Sequence, residues 1–213
     1  MQESRYFGRM RLAALQDYTK AAGEEMAEQR GRFDRLANKE SAPRVVSSFN
    51  LFQTPEPLAA RVAAMLERSG RILEPSAGLG RLYRAARALS DSQIVLVENS
   101  ADCCQELYRS IENDRNAKLV QEDFLACDAE RLGGLFDGVL MNPPFKMGTD
   151  IKHILHARSL LAPGGRLVAI CADGPKQQKA LQPIATDWVK LPANSFKEAG
   201  TSVSTSLFVF DAD

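Results

Sequence analysis

The sequence predicts an α/β fold: a mostly parallel sheet covered by helices on both faces, with a helical arm before it and an antiparallel finish. Three observations carry this. From residue 55 onward, short apolar runs are separated by stretches with helical spacing, the pattern of strands buried on both faces. The first run opens into a glycine-rich turn and then another helical stretch, the order of an α/β unit. The tail TSVSTSLFVFDAD alternates polar and apolar residues, as an edge or hairpin strand does. At 213 residues, one well-buried core with a short appendage is expected.

Residues 1–44 are polar and charge-mixed, with a thin apolar set of Leu12, Leu15, Met26, Phe33 and Leu36, which predicts one or two helices outside the core. Such an arm is either a solvated packing helix or, through Arg30, Arg32 and Arg35, a docking arm for a partner or nucleic acid. Ser41-Ala42-Pro43 marks the boundary, leaving residues 45–213 as the main domain. In FNLFQTPEPLAARVAAMLE, Thr54 is placed to cap a helix whose first position is Pro55, with Leu58, Val62 and Met65/Leu66 at helical spacing. Ile72-Leu73 form the first strand, and Leu82, Ala86 and Leu89 mark the helix after its turn. Ile94–Glu98 is the second strand, residues 100–112 a helix, Leu119 and Val120 the centre of the third strand, and Phe136–Met141 the fourth. A helix from about Thr149 to Leu161, a turn at Pro163-Gly164-Gly165 and the strand RLVAIC follow. Trp188–Leu191 and the alternating tail are then two antiparallel strands, paired as a hairpin or lying as neighbouring edges.

The 27 basic and 27 acidic residues leave no overall field, so nucleic-acid binding would need a local basic patch. Cys103, Cys104, Cys127 and Cys171 show no CxxC spacing and read as thiols of a reducing cytosol. His153 and His156 are three apart on a helix but lack further ligand partners, so no metal is expected. With no run of eighteen apolar residues and no charged-then-apolar start, a soluble cytoplasmic protein without membrane contact is expected.

The chemistry concentrates where strands end. The fourth strand stops at Asn142-Pro143-Pro144-Phe145. Read alone, this is either a proline stop after a core strand or a rigid, acceptor-rich loop. In the second reading the prolines fix the backbone, and the Asn142 oxygen and backbone carbonyls face a planar group bearing an NH2, with the Phe145 ring beside it. Gly78 and Gly80 follow the first strand, Glu98 ends the second, and Asp123 follows the third. In an open α/β sheet that edge is where ligands bind, so these residues and Asn142 would line one crevice. There the glycines would allow close approach, Glu98 could take both hydroxyls of a ribose, and Asp123 could accept from an adenine amine. A dinucleotide fingerprint is excluded by the bulky Tyr83 where a third glycine is needed, and no phosphate-cradling loop ending in Lys-Ser or Lys-Thr is present.

Together these residues resemble the class I S-adenosylmethionine-dependent methyltransferases, specifically the amino-methyltransferases of the adenine-N6 DNA type, over residues 49–210. The resemblance implies a Rossmann-like, seven-stranded, mostly parallel sheet with an antiparallel C-terminal hairpin. Phe52, Thr54 and Pro55 resemble a leading element near the methionine end of the cofactor. Glu74-Pro75-Ser76-Ala77-Gly78-Leu79-Gly80 resembles the cofactor loop, with Glu74 toward the methionine amino group. Glu98 matches the ribose-binding acid, Asp123-Phe124 the adenine-binding pair, and Asn142-Pro143-Pro144-Phe145 the catalytic tetrapeptide, which also borders the cofactor. The stretch around Gly200-Thr201 and Val203 resembles the closing hairpin. The implied reaction is methylation of an exocyclic amine, adenine N6 in DNA first, with ribosomal RNA base amines, protein glutamine, or a non-catalytic cofactor-binding subunit as alternatives. Relatives that read a DNA site carry a recognition domain after the catalytic one. Here the expected readers are the arm, Lys146 and Lys152, the segment Lys176–Lys179, or a partner subunit.

Overall fold

The computed structural model describes residues 52–68, 70–193, 195–196 and 203–213. The expectations for residues 1–44, and for Gly200 and Thr201, lie outside the described residues. In chain order the elements are α1 (Glu56–Leu66), β1 (Arg71–Pro75), α2 (Arg81–Arg87), β2 (Gln93–Glu98), α3 (Ala101–Ile111) and β3 (Ala117–Gln121). Then come α4 (Ala129–Leu132), β4 (Phe136–Met141), α5 (Thr149–Ser159), β5 (Leu161–Ala172), α6 (Pro175–Leu181), β6 (Asp187–Lys190) and β7 (Thr205–Asp211), with short 3₁₀ turns at Phe124–Ala126, Lys146–Gly148 and Gln182–Ile184.

The seven strands form one sheet in the order β3-β2-β1-β4-β5-β7-β6. β1 to β5 pair in parallel, whereas β7 pairs antiparallel with both β5 and β6. The chain builds outward from β1 through β2 to β3 and then restarts with β4 on the other side of β1. That reversal opens a crevice beyond the carboxyl ends of β1 and β4.

Period-2 side-chain alternation sorts the apolar strands onto two cores. Ile72, Ile94, Leu96, Leu140, Val168 and Leu207 pack with α1 to α3 through Val62, Leu66, Leu82 and Leu107. Leu73, Val95, Val139, Met141, Leu167 and Phe208 pack on the opposite face with Phe124, Leu132, Ile154 and Leu181. This is why these runs lack polar positions. At Gly138 a Cβ would stand 2.9 Å from Leu66 Cδ2, so the glycine lets α1 lie close on β4.

Four local expectations are corrected. Thr54 does not cap α1: the cap residue is Pro55, no side chain caps the helix, and the Thr54 hydroxyl serves the site described below. Leu89 lies beyond α2 and is 62% exposed, because the helix closes at Arg87. The Pro163-Gly164-Gly165 turn is absorbed into β5 as an irregularity, the pairing with β4 shifting between Phe136↔Leu161 and Gly138↔Arg166. α5 ends at Ser159 rather than about Leu161, because Leu161 already pairs with Phe136 at the start of β5. α6 was not anticipated, since PKQQKAL buries only Gln177 and Leu181 and shows no apolar period. Proline at its start and its helix-forming lysines and glutamines were the available signal.

Candidate active site

At the switch point lies a crevice of about 390 Å³. Asn142, Pro143, Pro144 and Phe145 line it from the end of β4, Glu74, Ser76, Ala77 and Gly78 from β1 and its turn, and Glu98 from β2. Asp123 and Phe124 follow β3, and Phe52 and Thr54 precede α1; they too line it. The three remaining expected residues are structural neighbours. Pro55 caps α1, Pro75 ends β1 and Gly80 caps α2 with φ 73°, where a Cβ would also strike Leu107 Cδ2 at 2.8 Å.

Asn142 is the most constrained of these groups. Its Nδ2 donates to the Phe52 carbonyl at 3.0 Å and to Thr54 Oγ1 at 3.0 Å. A carbonyl can only accept, so this pair assigns the two ends of the amide. Oδ1 is left buried with no hydrogen-bond partner among the described residues. An acceptor in that condition is costly unless something donates to it. Beside it Pro143 is buried, and the half-buried Phe145 ring is held edge-on by Phe196, with centroids 6.2 Å apart at 88°.

The loop after β1 is tied to the end of β2. Ala77 N donates to the Val97 carbonyl at 3.0 Å and Gly78 N to Glu98 Oε2 at 2.8 Å, while Ser100 N donates to Glu98 Oε1 at 2.8 Å. The Gly78 and Gly80 N–H groups are both engaged within the protein, the first by Glu98 and the second by the Ala77 carbonyl at 2.8 Å. Glu98 is thereby fixed, and each of its oxygens retains a lone pair for a further donor. Ser76 and Gly78 take the loop through positive φ values of 63° and 55°.

Glu74 is 3% exposed, and its Oε2 is buried without a partner among the described residues. Burial pushes its carboxyl up to about 8, against the pull of the Tyr83 backbone N–H and the Arg84 charge. Asp123 is exposed and its Oδ1 accepts from Leu125 N at 3.0 Å, which steadies the carboxylate. Phe124 is buried, its ring packed on His153 and His156 at centroid distances of 5.4 and 4.8 Å.

Sequence reasoning missed His153 as a member of the site. It lines the crevice from α5, is 7% exposed, and places Nδ1 3.1 Å from Ser76 Oγ; burial holds its pKa below the usual value. Its pairing with His156 had drawn attention only as metal spacing, whereas His156 bonds the Cys127 carbonyl instead. Arg81 and Gln53 also line the crevice, joined by a 3.2 Å hydrogen bond. No sequence motif marked them. All four cysteines are buried. No helix of the described residues is long and apolar enough to cross a membrane.

Several solved structures share this architecture. TrmN from Thermus thermophilus matches with TM-score 0.61 at 17% identity, over 74% of this chain and 49% of that one, so the chain spans about half its length. The glycopeptide N-methyltransferase MtfA, complexed with sinefungin, matches with TM-score 0.56 at 16% identity, over 80% of this chain and 99% of that one. An RNA methyltransferase from Salinibacter ruber, in complex with S-adenosyl-L-homocysteine, matches with TM-score 0.54 at 16% identity, over 75% and 92% of the two chains. At such identities the likeness establishes the fold alone. No curated protein matches the chain. A family profile, the methyltransferase small domain, matches residues 45–191. It is broader than the adenine-N6 DNA type expected from the sequence. Because the match covers well over half of the 213 residues, the chain belongs to the methyltransferase small domain family.

Proposed function

We propose that this protein transfers a methyl group from S-adenosylmethionine to the exocyclic amine of a nucleic-acid base, with RNA favoured as the carrier over the DNA adenine expected from sequence. The observation that carries the amine is the Asn142 amide, anchored through its nitrogen and left with a buried, unpartnered oxygen at the crevice. A base amine has its lone pair spread into the ring and is a poor nucleophile. Asn142 Oδ1 and the Pro143 carbonyl would accept its two hydrogens and concentrate electron density on the nitrogen. That nitrogen would form the new bond to the methyl carbon as the carbon–sulfur bond of the sulfonium breaks to leave a neutral thioether, and would then give up one proton to solvent. Phe145 would lie against the base, which must leave its stack to reach the crevice. Catalysis here is positioning and electrostatics.

The donor set fits the cofactor. Glu74 offers a buried, unpartnered carboxylate oxygen to an ammonium, Glu98 two oriented oxygens to a ribose diol, and Asp123 its second oxygen to an adenine amine. Phe52 and Thr54 hold the proposed catalytic amide from the side of α1, which Pro55 begins. When bound, S-adenosylmethionine supplies an electrophilic methyl on a sulfonium. The Salinibacter ruber neighbour supports RNA. MtfA supports a second reading, an amine or amide nitrogen on a peptide such as glutamine.

The test is incubation of the purified protein with methyl-labelled S-adenosylmethionine and separate pools of ribosomal RNA, unmodified genomic DNA and cell protein, followed by digestion to the labelled unit. Label on an RNA base amine is expected. Label in N6-methyladenine of DNA or on glutamine would keep the amine chemistry and replace the carrier. Cofactor binding without transfer to any pool would overturn the catalytic reading and point to a partner subunit.

A further inference from the structure

Among the described residues, three other than glycine have a positive φ: Glu67, Ser76 and Met147. Two have evident reasons. Glu67 is the left-handed cap that ends α1, and Ser76 turns the cofactor loop and is bonded to His153. Met147 takes its φ of 56° inside the short turn closed by Gly148 N donating to the Phe145 carbonyl at 3.3 Å, and no side-chain bond holds it there. It is also 92% exposed, the most exposed of the large apolar side chains described. A left-handed conformation is costly for a residue with a Cβ, and glycine would make the same turn more cheaply, as Gly148 beside it does with φ 76°. The turn therefore presents a thioether to solvent at a cost in strain.

Its place gives that presentation a use. Met147 stands two residues after Phe145, which lines the crevice, and two before Thr149, which also lines it. Lys146 immediately before it and Lys152 in the first turn of α5 are both exposed. An unbranched apolar side chain flanked in sequence by two exposed lysines, on the turn between two residues that line the crevice, matches a stack of bases bounded by phosphates. We infer that Met147 is a wedge that enters the base stack beside the target, filling the gap left when the target base is drawn into the crevice. The inference rests on the base-amine reading above and deepens it, since it makes a stacked or folded nucleic acid the substrate rather than an unstructured strand or a peptide.

Two measurements on Met147→Ala test it. In the first, initial methylation rates are compared on ribosomal RNA folded in magnesium and on the same RNA cut to short unpaired fragments. The variant should lose about tenfold in kcat/KM on folded RNA, the size of one lost base contact, and little on fragments, with unchanged cofactor affinity. Equal loss on both substrates, or none on either, would overturn the wedge. The second measurement does not need turnover: fluorescence anisotropy on a labelled RNA duplex, intact or with one central abasic site. The wild-type protein should bind the abasic duplex several-fold more tightly because the gap is already open, and Met147→Ala should erase that preference. No preference in the wild type sinks the wedge. Absence of methylation with the preference intact would instead count against the proposed reaction and leave the wedge standing.

Discussion

The Phe52 carbonyl can only accept a hydrogen bond, so the Asn142 nitrogen must face it and the oxygen must face elsewhere. Replacing the amide would remove the proposed acceptor for the reacting amine, along with its bonds to Phe52 and Thr54, while leaving the Glu74, Glu98 and Asp123 carboxylates in place. Asn142→Ala should lower kcat by about 10²–10³-fold, the range for losing one oriented polar group of this kind. Cofactor affinity, read by calorimetry, should stay within about twofold. Near-normal turnover would refute the assigned role. Thr54 supplies a second, separable test, because its hydroxyl accepts from the same Nδ2 and does not cap α1. Thr54→Val keeps the shape and leaves the amide held by Phe52 alone. A fall in kcat of about tenfold is expected from one weakened hydrogen bond. An unchanged kcat would mean that the Phe52 carbonyl alone is enough to orient the amide. Proline after threonine looks like a helix start in one dimension; only the approach of β4 in space shows what the hydroxyl does instead.

At the scale of elements, the packing of α1 on β4 turns on one missing side chain. Ala at 138 would bring its Cβ to 2.9–3.0 Å from both Leu66 methyls, below normal contact, and α1 carries Leu66, Val62 and Ala59 into the same core. Gly138→Ala should therefore destabilise the protein by about 1–3 kcal/mol, the usual cost of overpacking. Thermal unfolding would show this as a clear drop in melting temperature, and an unchanged value would mean that α1 can lift without cost. The strands were legible because burial on both faces leaves few polar interruptions: FDGVLM, broken only by Asp137 near its start, and IVLVE read as strands and are strands. Helix α3, Ala101–Ile111, falls within the helix read over residues 100–112 and buries Leu107 with Cys103 and Cys104. Illegible were elements whose burial is slight, α6 above all, and the bulge in β5, where Pro163 and Gly164 mimic a loop while the strand continues past them. The crevice lining was legible where a residue stands at a strand end, as Glu98 and Asn142 do. His153 reaches the crevice from inside a helix, and no spacing rule announces that.

For the whole molecule, the buried carboxyl of Glu74 couples the proposed cofactor site to folding through pH. Its pKa is raised from 4.5 to about 8, chiefly by burial, so the folded protein holds this proton over a range where the unfolded chain has released it. The stabilisation from Glu74 is fully present below pH 4.5 and is lost as pH rises through about 8. Asp150, also raised by burial, acts in the same direction. His153, lowered by burial, acts oppositely, its contribution being present above its ordinary value of 6.5 and lost as pH falls through its depressed folded-state value. The contribution of Glu74 is therefore isolated by comparing the wild type with Glu74→Gln, which keeps the shape and cannot ionise. Without cofactor the two should melt close together at pH 5, and the variant should gain on the wild type by several degrees by pH 8.5. Saturating S-adenosylmethionine should shrink or reverse that gap, because an ammonium against the carboxylate compensates its burial in the wild type alone. A gap that ignores pH would mean that the carboxyl is not the isolated buried acid described here. A gap that follows pH but ignores cofactor would mean that Glu74 belongs to the core and that the ammonium is held elsewhere.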